Sequence, residues 1–145
     1  MTILDYERMI LLDAEDLAEG GVKAAYDGLM DSLREYVRTP NAIEESLNSD
    51  LPAYAVSAGG VRYEIYSRDT PNARSWGNAM YALFDIINRQ LDHSVRRFYA
   101  INAGNDLGGL FLTSDQYDAA VRSLERKADW PYIPTQEFPW FGQPH

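Results

Sequence analysis

Apolar residues keep one helical period for longer over Pro71–Leu91 than anywhere else in the chain. Trp76, Met80, Leu83, Phe84, Ile87 and Leu91 share a stripe, while Arg74, Asn78, Asp85, Arg89 and Asp92 fall roughly opposite. This predicts a core helix. Two strand-like runs precede it, Ala53–Ser57 and Val61–Ser67, and two follow it, Val95–Asn102 and Leu107–Thr113. In Val61–Ser67 the residues Val61, Tyr63 and Ile65 alternate with Arg62, Glu64 and Tyr66, as in a half-buried antiparallel strand. Gly59–Gly60 supplies the positive φ angles of a tight hairpin between the first two runs. The expectation is one sheet drawn from both pairs, with the helix laid across it.

The remaining segments complete the order. Ile3–Leu12 is short and apolar with acids interleaved, and its period does not separate a strand from a buried helix. Asp13 with Asp16 reads as an N-cap for a short turn through Glu19, closed by Gly20–Gly21. Val22, Ala25, Tyr26, Leu29, Met30, Leu33 and Val37 then share a face and predict a helix ending before Thr39–Pro40. Asn41–Pro52 reads as a loop, with one turn at Ile43–Leu47 at most. Thr70–Pro71 opens the core helix, and Gly77 within it points to a close approach of the backbone to a strand. Gly108–Gly109 suggests a bulge, and Thr113 with Gln116 forms a capping box for a last helix ending near Arg126–Lys127. The predicted fold is α+β in the order α-ββ-α-ββ-α: a four-stranded, mostly antiparallel sheet with helices packed on one face.

The segment 128–145 departs from this pattern, with two of the three Trp and four of the seven Pro. So much proline predicts an extended C-terminal tail, and the aromatics argue for order. One domain is expected over 1–145, as a body over 1–127 and a tail that wraps it. Its rings either cover an edge of the sheet or stand out as anchors for a partner.

Charge sharpens the picture. The chain carries a net charge of −9, and its first fifty residues hold twelve acids against the four bases Arg8, Lys23, Arg34 and Arg38. Asp27, Asp31 and Glu35 recur every four residues opposite the apolar stripe of their helix, and Asp16 and Glu19 precede them. Such a balance disfavours direct contact with nucleic acid or an anionic membrane. It fits either steering of a basic partner or a solubilising surface.

Catalytic signals are weak. Cysteine is absent, which removes thiol nucleophiles and Cys-based metal sites, and the two histidines, His93 and His145, stand in no metal-ligand spacing. Asp13, Glu15 and Asp16 lack the glycine and closing Glu of a calcium loop. Neither glycine pair lies in a phosphate-loop context. No metal, cofactor or catalytic residue is therefore expected. With no signal peptide or apolar span in view, the expected location is cytoplasmic. Tyr63, Tyr66 and Tyr99 could line a ligand pocket, which keeps a small ligand-binding or regulatory module open as an alternative, and a carboxylate-dependent enzyme as a lesser one.

The run Leu110–Thr113 leading through a short helix to Asp129–Trp130–Pro131–Tyr132 and Pro139–Trp140–Phe141–Gly142–Gln143–Pro144, in a small, acidic, cysteine-free chain, resembles bacterial immunity proteins. These are the antitoxins of contact-dependent growth inhibition, Rhs and type VI polymorphic toxins. The resemblance implies a binder of a cognate toxin domain, basic and in some cases a nuclease, that acts by steric occlusion. Charge geometry nominates Asp27, Asp31, Glu35, Asp16 and Glu19 as its partner-binding residues, and composition nominates Tyr132 and Trp140.

Overall fold

The computed structural model describes residues 4–50 and 52–145. Ile3, which opens the ambiguous N-terminal run, lies outside them. In chain order the elements are β1 (Ile10–Leu11), α1 (Ala14–Asp16), α2 (Val22–Gly28), α3 (Met30–Leu33), β2 (Glu44–Asn48), β3 (Ala53–Ala58), β4 (Val61–Tyr66), α4 (Asn72–Gln90), β5 (Arg96–Ile101), β6 (Gly108–Thr113) and α5 (Ser114–Ser123). Single 3-10 turns lie at Tyr6–Arg8, Gly104–Asp106 and Lys127–Asp129.

The fold is α+β, but its strands do not join into the expected four-stranded sheet. They form two three-stranded antiparallel sheets, ordered β1-β6-β5 and β2-β3-β4. The reason lies in α4. The Asn88 amide donates to the Phe98 carbonyl at 3.0 Å and accepts from the Phe98 N–H at 2.7 Å, and the Asn78 amide donates to the Ile65 carbonyl of β4 at 3.0 Å. The helix thus occupies main-chain groups that a direct β4–β5 ladder would use, and each hairpin gains a third strand on its opposite side, beside β6 and β3. Those third strands are β1 and β2. The second replaces the loop expected at 41–52, because its polar residues alternate on no face and give no strand period.

Helix α4 fills the space between the sheets. Ala79, Met80, Ala82, Leu83, Phe84, Ile86, Ile87 and Leu91 are all buried, so its apolar surface is wider than the single stripe in the sequence. Phe84 stacks on Phe98 with ring centroids 4.6 Å apart, and Phe98 meets Phe111 of the paired strand at 4.6 Å. Phe84 and Phe98, both fully buried, each contribute about 1.5–3 kcal/mol through burial.

The sheet β1-β6-β5 is covered on both faces, which corrects the expectation of helices on one. Its second face, with Tyr99, Ile101, Leu110 and Leu112, packs on Ala120 of α5 and on Leu4. Tyr99 stacks on Tyr117 of α5 at 4.9 Å. The predicted capping box is present: Thr113 Oγ1 accepts from the Gln116 N–H, and Gln116 Oε1 from the Thr113 N–H. The helix ends earlier than expected, at Ser123.

Gly108–Gly109 forms no bulge; β5 and β6 pair in unbroken register. A Cβ on Gly109 would lie 2.2 Å from the Phe98 ring, and one on Gly108 would lie 2.6 Å from the Met9 sulfur. These glycines make room for neighbouring side chains. The hairpin glycines behave as expected, with Gly59 at φ 57° and Gly60 at φ 82°.

Candidate functional site

The acidic segment begins at Asp13, whose carboxylate caps α1 by accepting from the Glu15 N–H at 2.9 Å and the Asp16 N–H at 3.4 Å. The Asn105 amide approaches both its oxygens, at 3.1 and 3.2 Å, and holds the carboxyl below the usual aspartate range. A wide helical turn at Leu17–Gly21, with Gly20 at φ 97°, re-aims the chain into α2.

The continuous helix expected from Val22 to Val37 is broken. Leu29, at φ −102° and ψ 9°, separates α2 from α3. Asp27, Asp31 and Glu35 are all exposed, but they fall on α2, on α3 and beyond the end of α3 and not on one continuous helix. Asp27 is bonded to Lys23 at 2.7 Å, and Glu35 lies 3.8 Å from Arg8. Both pairs are solvent-exposed and contribute little to stability.

Asp16 and Glu19 are exposed too, on different borders. Asp16 edges a groove between β1 and α2 beside Gly21, Ala25 and Gly28, whereas Glu19 edges a cleft with Glu15, Arg68 and Trp76. Glu35 borders a third cleft, of about 360 Å³, with Arg8, Tyr36, Arg96 and Gln116. The sequence-predicted acids therefore form a belt around the N-terminal helical segment and not a single patch.

The tail separates the two aromatic candidates. Tyr132 is 4% exposed, so it is no surface anchor. Its main chain pairs with Ala100 on the open side of β5 (N–H to O 2.7 and 3.0 Å), and its hydroxyl donates to the Asn102 carbonyl at 2.6 Å. It fastens the tail to the sheet edge, and burial raises its pKa. Trp140 is 46% exposed and stacks on His145 at 4.2 Å. Phe138 is equally exposed beneath the Arg74 guanidinium, 4.7 Å from the ring centroid. Sequence reasoning passed over Phe138, although it lies in the same aromatic–proline run. Next to Trp140 in the chain, Phe141 turns inward against Trp76, its φ of 49° aiming the ring at α4.

The polar contacts nearest to chemistry lie on α4. The Tyr63 hydroxyl donates to Asp85 Oδ2 at 2.5 Å, and Arg89 Nε reaches the same oxygen at 2.7 Å. Burial and the Asp85 carboxylate raise the Tyr63 pKa, so the group is a held proton donor linking β4 to α4 rather than a ready phenolate. Tyr54 is a similar link, with its hydroxyl 2.5 Å from Glu45 Oε2 and accepting from the Val22 N–H at 3.0 Å.

The sheet tyrosines lie in separate surroundings. Tyr63 borders a hollow beside Tyr81, Tyr66 borders the cleft beside Trp76, and Tyr99 stacks on α5. Among the described residues, no three His, Asp or Glu side chains gather as a metal set, and no helix is long and apolar enough to cross a membrane. Comparisons of the chain with family models, with curated proteins and with solved structures found no match.

Proposed function

We propose that this chain is an immunity protein that binds a basic toxin domain in the cytoplasm and neutralises it by occlusion. One observation carries the reading. Every carboxylate of the first fifty residues except Asp13 is exposed, and among the described residues that segment makes ion pairs only through Arg8 and Lys23. Apart from Asp27 beside Lys23, Glu35 near Arg8 and Glu45 on the Tyr54 hydroxyl, these acids are spent neither on the core nor on internal neutralisation, so they leave a negative field over the N-terminal helical segment.

Such a field raises the encounter rate with a positively charged surface and sets orientation, while aromatic side chains supply contact area at short range. Asp16, Glu19, Asp27, Asp31 and Glu35 take the steering role. Trp140, joined by Phe138, takes the anchoring role, and Tyr132 holds the tail that presents them. No proton transfer or covalent step is required of this chain.

The test is co-expression with the toxin domain encoded beside this gene. Cells making both chains are expected to grow, and cells making the toxin alone to stop. Growth arrest despite stable, folded expression of this chain overturns the proposal.

A further inference from the structure

We infer that the edge of β2 over Glu44–Leu47 is a docking site for an extended, lysine- or arginine-bearing strand of a partner protein. All five residues of β2, Glu44–Asn48, are exposed, and Leu47 is 61% exposed. One side of the strand is laddered to β3 in unbroken register from Glu44↔Ser57 to Asn48↔Ala53. Among the described residues, the main chain of Glu44–Leu47 bonds to nothing beyond that ladder. An open row of N–H and C=O groups is a template for a further strand.

The β5 edge is closed and β1 is short, while the β4 edge is taken only at Ile65 and carries Arg62, a like charge to a basic strand. On β5, Asn88 takes both main-chain groups of Phe98, and Tyr132 takes both of Ala100. On β4, Asn78 takes the Ile65 carbonyl, and β1 has two residues. The fold thus seals the β5 edge beside its core and leaves the acidic β2 edge open.

Charge selects the occupant. No Lys or Arg occurs between Arg38 and Arg62, while Glu44, Glu45 and Asp50 lie within or beside β2. Exposed charges of one sign keep an edge from pairing with its own kind, since a second copy would bring four glutamates onto one seam. The same charges favour a strand carrying Lys or Arg, whose cross-strand pairs with Glu add to the ladder. Leu47, close to Gly20, offers an apolar contact beside it.

The inference deepens the toxin-binding reading, on which the identity of the biological partner rests; the edge itself is testable alone. The probe is a synthetic peptide of about ten alternating Lys and Thr residues, long enough for one strand. Amide hydrogen exchange of the full chain is followed by NMR. At peptide concentrations ten times the Kd, the β2 amides open to solvent are expected to exchange about tenfold more slowly. A peptide of equal charge with proline at alternate positions is expected to give no such slowing, because it cannot ladder. Glu44→Lys, on an exposed side chain, is expected to weaken the Lys–Thr peptide and to admit a Glu–Thr peptide.

Equal protection by the proline peptide, absence of protection at saturating Lys–Thr peptide, or a dimer whose β2 is protected without peptide each overturns the inference. If the peptide fails while the chain still protects cells from toxin, the edge proposal falls and the toxin reading stands. If the peptide binds and the chain does not protect cells, the edge proposal stands and the toxin reading falls.

Discussion

The ring of Phe141 rests directly on the backbone of Gly77: a Cβ built at Gly77 would lie 2.1 Å from the ring. The glycine in the middle of α4 is therefore explained by the tail, which enters a notch that any side chain would fill. Gly77→Ala gains about 1 kcal/mol in helix propensity but must expel a buried aromatic ring. The clash is expected to dominate, lowering the Tm in thermal denaturation. Phe141→Ala, which empties the notch, is expected to cost about 3–5 kcal/mol. The pair Gly77→Ala with Phe141→Ala is expected to cost less than the sum, because the added methyl then enters vacated space.

Asn88 is the second point where one residue decides the architecture. Asn88→Leu keeps the branching of the side chain and leaves both main-chain groups of Phe98 unpaired, at about 1–3 kcal/mol for each group. Urea titration is expected to show the loss. Asn88→Asp keeps the acceptor for the Phe98 N–H but loses the donor to its carbonyl, and is expected to fall between wild type and Asn88→Leu.

Alkaline pH provides a third prediction. Tyr54, Tyr63 and Tyr132 all have pKa values raised above the ordinary 10.0, burial being the largest cause for each. The fold therefore favours the neutral phenol. The associated stability is fully present below the unfolded-state pKa near 10 and is lost as pH rises through the folded values, because the unfolded chain ionises first. Denaturant midpoints are expected to fall steadily above about pH 10. Tyr132→Phe removes one of these groups and is expected to flatten that slope, even though it lowers stability at neutral pH by losing the bond to Asn102.

The acidic belt provides the fourth. Association with a basic toxin domain is expected to slow with added salt, since exposed charges are screened beyond about 8–10 Å at physiological ionic strength. Asp31→Lys is expected to slow association several-fold while leaving the Tm unchanged, because the side chain is exposed. Stopped-flow rates that ignore both salt and this substitution remove the steering argument.

Elements with strong local signals were legible in the sequence. The core helix, both hairpins and the capping box of Thr113 and Gln116 arise from periodicity, paired glycines and an N-cap, which act over a few residues. The strands β1 and β2 were not legible: Ile10–Leu11 is too short to show a period, and Glu44–Asn48 is exposed on both faces. The break at Leu29 is marked only by Gly28 before it, while the apolar stripe from Val22 to Val37 runs through it. Among the candidate residues, exposure of the acids followed from their chemistry, but the fates of Tyr132, Phe138, Trp140 and Phe141 did not. Four neighbouring aromatics give one composition, and only a scaffold decides which ring enters it.

The sequence by itself determined what short-range physics controls: the α+β class, the helix around which the chain is built, the hairpin turns and the concentration of acid in the first fifty residues. Tertiary structure alone decided that the strands split into two sheets, that Phe141 fills the notch at Gly77, and that one sheet edge is sealed while another stays open. Each of those outcomes depends on contacts between residues far apart in the chain. A local pattern states only that a surface is apolar or an edge unpaired, and geometry decides what meets it.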